Sequence, residues 1–398
     1  MPITLNDVRL AHERIAPYIR RTDVAQVALP TGGELQIKLE NLQYTGAFKV
    51  RGAFNCMLQL TEEQKRAGVL AASAGNHAQG VARAANALGL NCTIVMPTGA
   101  PLSKITATEQ YGAKVVLYGN AYDDACCHAL ELVKETGATF IHPFNDERVI
   151  AGQGTLGLEI LQDIPEAGQI LVPLGGGGLA AGVAIAAKEI DPAVRVIGVE
   201  AKNAASMRAS VDAGRIVTLA SSHTIADGIA VKTPGSITYT LCRDYLYDIV
   251  TVDEDDIARA ILYLLEKCKI VSEGAGAAGV AAMLAGKVQL LPDRPTVALL
   301  SGGNIDVTMV ARIIDKGLIR TGRKTLIRTT LSDKPGQLVK LLSIIATTGA
   351  NIVAIQHDRM AADMNVTESA VEIELETRDR RHVFEILSTL EDEGYKLT

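Results

Sequence analysis

Along most of the chain, short apolar runs alternate with amphipathic or alanine-rich segments. The runs Val69–Ala72, Cys92–Met96, Val115–Leu117, Ile170–Leu174, Val194–Val199 and Val297–Leu300 are continuous enough to predict strands buried on both faces. Between them, Ala78–Leu88, Pro101–Tyr111, Tyr122–Glu135, Leu179–Glu189, Ile257–Lys267 and Gly274–Ala285 have the length and periodicity of helices. Asn6–Ile19 is amphipathic and predicts a first helix with Asn6 near its N-cap. Strands alternating with helices predict βαβ units and parallel sheets, hence an α/β fold. The expected arrangement is two parallel-sheet subdomains within residues 1–320. The smaller, at about 50–150, is inserted in the larger, with a cleft between them.

The texture changes around Lys316–Lys324, where charges and glycines predict a linker, centred on 321–325. Beyond it Thr325–Leu331 alternates like a strand, Pro335–Ala346 predicts a helix, Asn351–Arg359 and Ala370–Thr377 strands, and Arg381–Glu393 a helix. This βαββα order, with room for a last short strand, predicts a small α+β domain over 326–398.

Composition narrows the function classes. The chain has 398 residues, too many for one small core. Its net charge of -6 gives no basic footprint for nucleic acid. No apolar run approaches a membrane span, and the N-terminus lacks a signal pattern. Six scattered cysteines without Cys-x-x-Cys spacing suggest neither zinc nor a disulfide framework, so a cytoplasmic protein with reduced thiols is expected.

The candidate chemistry centres on Lys38–Asn55, K-L-E-N-L-Q-Y-T-G-A-F-K-V-R-G-A-F-N. A polar loop with Thr45-Gly46 gives way to a helix whose first turn holds Lys49, in the apolar company of Ala47, Phe48 and Val50. The positive end of a helix dipole disfavours a cation there. That depresses the lysine pKa and frees its amine for a Schiff base, whereas an ordinary lysine is a solvated surface charge.

Three loops follow predicted strands. Leu171–Gly182 reads L-V-P-L-G-G-G-G-L-A-A-G, a strand–glycine–helix turn suited to a phosphate. Gly175, Gly177 and Ala180, with Glu200 further on, also satisfy a dinucleotide pattern, so an NAD-dependent oxidoreductase is the rival reading. Glycines required only for tight strand–helix packing are the bland one. Ser73-Ala74-Gly75-Asn76-His77 offers amides for a carboxylate, and Asn76 a hydrogen bond for a ring hydroxyl. Ser301-Gly302-Gly303-Asn304 offers Ser301 for a ring nitrogen. One NAD site does not call for all of these, whereas a phosphate-bearing pyridine aldehyde plus an amino acid does.

These stretches closely resemble the fold-type II pyridoxal-phosphate enzymes, in particular the threonine and serine dehydratases. The resemblance implies pyridoxal 5'-phosphate as cofactor, bonded to Lys49, with Lys49 also the general base. It places the phosphate on Gly175, Gly176, Gly177, Gly178 and Leu179. Phe48, Asn76 and Ser301 contact the ring, and Asn145 is a looser match nearby. Ser73, Ala74, Gly75, Asn76 and His77 would hold the substrate carboxylate. The implied reaction is β-elimination from L-threonine to 2-oxobutanoate and ammonia, with L-serine to pyruvate alongside.

Serine racemase is a cousin, but Ala74 stands where the racemase has a serine, so little racemase activity is expected. Of the racemase cation run, Glu200 and Ala204 match and Ser206 does not; no functional metal is expected, and Glu200 is expected to make a local polar contact. The stretches Thr224–Lys232 and Glu273–Ala278 also look like family segments.

Ser332–Leu338 and Gly349–Ile352 resemble the ACT domain, a module that binds amino acids between paired copies. The resemblance puts Asp333, Gly336, Leu338, Asn351 and Ile352 at an effector site. It implies isoleucine or valine as effector and a homodimer or homotetramer. A non-enzymatic amino-acid sensor is the remaining alternative.

Overall fold

The computed structural model describes residues 3–360 and 365–397. The chain divides into two compact units, Met1–Ile305 and Asp306–Thr398.

Strands are numbered in chain order. In the first unit they are β1 (Val24–Ala28), β2 (Glu34–Leu39), β3 (Val69–Ala72), β4 (Cys92–Met96), β5 (Lys114–Leu117), β6 (Thr139–Phe140), β7 (Gln169–Pro173), β8 (Arg195–Ala201), β9 (Asp248–Val252) and β10 (Thr296–Leu300). A six-stranded sheet has the order β1-β2-β10-β7-β8-β9. It is parallel apart from the β1–β2 hairpin. A four-stranded parallel sheet, β5-β4-β3-β6, lies between β2 and β7 in sequence. The central strands β3, β7 and β10 are buried at every position. That is why they read as unbroken apolar runs rather than as alternation.

Helices cover the sheets. Glu147–Asp163 and Gly178–Ile190 pack closely, both almost wholly buried, and join the core of Ile150, Leu156, Ile170, Val183 and Leu299. The small sheet has its own core around Phe54, Val69, Val81, Ile94 and Ile141. The alanine-rich helix Gly274–Leu284 is buried through Met283 because its small side chains let neighbours approach on all sides.

The first helix runs Leu5–Ile15, and its N-cap is Thr4, in a reciprocal box with Asp7, rather than Asn6. A threonine followed three residues later by a carboxylate supplies both halves of that box. The edge strands β1 and β9, VAQVA and DIVTV, are part-exposed and broken by polar residues, and were not anticipated.

The second unit begins with a helix, Val307–Thr321. The expected linker is therefore corrected. Lys316–Thr321 are helical, Gly322 closes the helix in the left-handed conformation (φ 72°), and β11 starts at Lys324. Amphipathic spacing outweighs the single Gly317, a tolerable cost of about 1 kcal/mol in a helix. Then come β11 (Lys324–Ser332), helix Gln337–Thr347, β12 (Asn351–Asp358), β13 (Glu368–Glu376) and helix Arg380–Asp392. The antiparallel order is β11-β13-β12, and Leu397 bridges Thr329 where a last short strand was expected. Ile327, Leu331, Val371, Ile373 and Leu375 alternate onto one buried face under Leu341, Ile345, Ile386 and Leu390.

Candidate active site

The C-terminal ends of β3, β7 and β10 converge on a cavity of about 640 Å³, where parallel α/β sheets place their ligands. Its walls include Phe48, Lys49, Ser73–His77, Gly175–Leu179, Asp227–Thr233, Glu273, Ser301 and Asn304. The lysine segment, the Ser73–His77 loop, the glycine turn and the serine loop thus meet in one place.

Helix Lys49–Met57 starts at Lys49, with Phe48 as its N-cap. Its approach is fixed by the serine loop: Phe48 N–H donates to Ser301 O (3.0 Å), Gly303 N–H to Gly46 O (2.9 Å), and Ala47 bridges Gly302. Lys49 Nζ donates to Pro143 O at 2.8 Å. Burial drives the ammonium pKa down to about 8, against a weaker opposing pull from Glu273. Two residues on, Arg51 is fully buried between Glu40 (2.8 Å) and Glu159 (2.6 Å). Lys38 joins it, 3.0 Å from both Glu159 and Asp163.

In the glycine turn Gly177 is left-handed (φ 95°) and caps the helix Gly178–Ile190. A Cβ on Gly176 would strike the Phe144 ring at 2.3 Å. Packing and an open backbone are therefore both required of this turn. Thr238 Oγ1 donates to Gly176 O at 2.6 Å and holds the turn from behind.

His77 is buried, its Nε2 2.8 Å from Ile141 O and its Nδ1 without a partner among the described residues. Burial, then the nearby Lys49 charge, pushes its pKa down to about 3, so the ring stays neutral. Gly75 N–H donates to Ser73 Oγ (3.2 Å). Asn76 Nδ2 donates to Glu273 Oε1 (2.6 Å), and Asn304 Nδ2 donates to Asn76 Oδ1 (2.8 Å).

Asn145 does not line the cavity. Its Oδ1 accepts from Ile237 N–H (2.9 Å), and its Nδ2 donates to Ser236 Oγ (3.3 Å), so it holds the start of helix Ser236–Tyr245. Glu200 makes the local contact expected of it, accepting from Met207 and Arg208 N–H (2.9 and 2.8 Å). Among the described residues no cluster has the makings of a metal site.

Glu273, Asn304, Pro143, Phe144 and Thr238 were not expected to take part in the site. A carboxylate directly before the apolar helix Gly274–Leu284 was a signal for Glu273. Asn304 closes the Ser301 run in the same way.

Residues 15–302 match the family described as Pyridoxal-phosphate dependent enzyme. The chain belongs to this family. An L-threonine ammonia-lyase of Thermotoga maritima is 50% identical over 398 residues, 99% of each chain. Among solved structures, maize serine racemase superposes with a TM-score of 0.74 at 37% identity, covering 80% of this chain and 99% of the racemase. The processed form of threonine deaminase isoform 2 from Solanum lycopersicum superposes at 0.73 and 36% identity, covering 79% and 95%. The fold is that of the fold-type II enzymes, and the cofactor is pyridoxal 5'-phosphate. The cavity fits it: a lysine amine whose burial eases loss of its proton and a glycine turn at a helix N-terminus line it, and its volume is ample. The NAD reading falls with this match.

In the second unit, Asp333 pairs with Arg359 (3.1 Å) and Asn351 Nδ2 donates to Glu376 (3.0 Å). Gly336 is left-handed (φ 87°) at the start of helix Gln337–Thr347. Leu338 and Ile352 pack on the core. Among the described residues no helix is long and apolar enough to cross a membrane.

Proposed function

We propose that the chain deaminates L-threonine to 2-oxobutanoate and ammonia, and L-serine to pyruvate more slowly. The observation that carries this is the convergence of Lys49, the Ser73–His77 amides, the glycine turn and Ser301 on one cavity. Near-full-length likeness to the ammonia-lyase supports threonine as substrate.

When bound, pyridoxal phosphate supplies the electron sink for the carbanion at Cα. The protein supplies position and proton transfer. Gly175–Leu179 and the helix N-terminus would hold the phosphate. The N–H groups of Ser73–His77 hold the substrate carboxylate. The Lys49 amine takes the Cα proton; its depressed pKa raises the share of free base near neutral pH above that of an ordinary lysine. Ser301, on the same cavity wall, would serve as a neutral partner for the ring nitrogen. Ala74 offers no base on the opposite face, which favours elimination over racemisation.

In the C-terminal unit, the βαββα order and the open β12 edge support an ACT-type module that pairs with a second copy and takes isoleucine or valine at Asp333, Gly336, Leu338, Asn351 and Ile352. Turnover of L-threonine and L-serine by the purified protein, with and without branched amino acids, tests these readings. Release of 2-oxobutanoate is expected, suppressed by the effector. D-serine formed from L-serine as fast as pyruvate would contradict the assignment.

A further inference from the structure

The cavity lies between two sheets, and side chains that line it tie one to the other. Asn76 starts the helix behind β3, in the small sheet. Glu273 and Asn304 belong to the large-sheet side, Glu273 heading helix Gly274–Leu284 and Asn304 following β10. Glu273 is 3% exposed, and its N–H donates to Gly302 O (3.1 Å). Asn304 Nδ2 donates both to Asn76 Oδ1 (2.8 Å) and to Thr45 O (2.7 Å), in the loop leading to Lys49.

We propose that Glu273 is a positioning residue of the cavity, which together with Asn304 locks the side-chain amide of Asn76 in one orientation across the cleft. The inference rests on the cavity being the cofactor site. An amide has a donor end and an acceptor end. With Nδ2 on a carboxylate and Oδ1 on an amide N–H, a half-turn of Asn76 sets oxygen against oxygen and N–H against N–H. The amide would therefore present a fixed polarity to a bound cofactor ring.

The tie is stronger when Glu273 is ionised. The groups facing Glu273 are Asp227, Lys104, Lys49 and the Asn304 N–H; Asp227 and Lys104 are themselves paired at 2.5 Å. Burial and Asp227 outweigh the rest and push the carboxyl up to about 7. The lock tightens as pH rises through neutrality.

The test compares wild type, Glu273→Ala, Glu273→Gln, Asn76→Ala and the double variant Glu273→Ala/Asn76→Ala. Turnover of the holoenzyme across neutral pH and pyridoxal-phosphate affinity of the apoprotein are measured, with thermal melts as a folding control. Glu273→Ala is expected to lower kcat about tenfold in the wild-type background and less than about twofold in the Asn76→Ala background, since coupled residues are non-additive. Glu273→Gln, which still accepts from Asn76, is expected to recover most of kcat and to lose the inflection near neutral pH. Cofactor affinity should weaken alike in Glu273→Ala and Asn76→Ala. Equal losses in both backgrounds, or an inflection unchanged in Glu273→Gln, would overturn the proposal. Should Glu273→Ala fail to fold, the glutamine profile decides. A wild type that neither binds the cofactor nor turns over threonine would instead refute the site assignment.

Discussion

Lys49 and Arg51 stand two residues apart on one helix and are treated in opposite ways. Arg51 is enclosed by Glu40 and Glu159, with Lys38 and Asp163 extending the network. Those carboxylates hold the guanidinium charged and raise its pKa further. Lys49 donates to a backbone carbonyl, and burial lowers its pKa to about 8. The same helix thus anchors itself through a cation whose charge is neutralised in place and presents to the cavity a cation whose charge is poorly supported. A buried ion network fixes where the helix lies. A buried amine with weak support is ready to lose its proton or form a covalent bond.

Changes on either side should separate stability from chemistry. The largest effect on folding is expected from Arg51→Met. It leaves Glu40 buried without its cation and Glu159 with Lys38 alone, at about 3–5 kcal/mol, measured as a lower denaturant midpoint. Lys49→Ala should leave that midpoint of the apoprotein unchanged or raised while abolishing turnover. A loss of stability in Lys49→Ala as large as that in Arg51→Met would erase the contrast.

The next effect concerns acid. A histidine held down to about 3, against an ordinary 6.5, favours the folded state fully above 6.5. That contribution drains as pH falls from 6.5 toward 3. It amounts to something on the order of 4 kcal/mol by linkage. Replacing His77 by Gln should flatten the acid limb of the stability–pH curve over that range. Glu273 and Glu200, both pushed up to about 7 by burial, act in the opposite sense. Their contribution is complete below about 4.5 and is lost as pH rises to 7.

The smallest effect is expected at a part-exposed ion pair on the cavity wall. Lys104 and Asp227 are paired at 2.5 Å but partly exposed, at 27% and 55% of their side chains. Asp227→Asn should cost less than about 1 kcal/mol. A larger loss would show that this pair belongs with Arg51 rather than with ordinary surface charges.

Much of this was legible in the sequence, for physical reasons. Val69–Ala72 and Cys92–Met96 are strands with the bounds their apolar runs suggest, because strands buried on both faces tolerate little else. The loops of the cavity could be named because glycine, serine and asparagine gathered at strand ends stand out against the apolar runs before them. What stayed hidden depends on distance in sequence. Asn76 and Glu273 are 197 residues apart and meet at 2.6 Å. Arg51 and Glu159 are separated by 108. Asn145 shows the converse. It stands in a cavity-lining stretch beside Phe144, yet its side chain turns to Ser236. The helix Val307–Thr321 was obscured by the charges and glycine of its last turns.

The most direct measurement is borohydride reduction of the yellow holoenzyme, followed by peptide mapping. The account predicts loss of the visible absorption band and a pyridoxyl group on Lys49, with neither seen in Lys49→Ala. A label on another lysine, or a band that persists in Lys49→Ala, would contradict it.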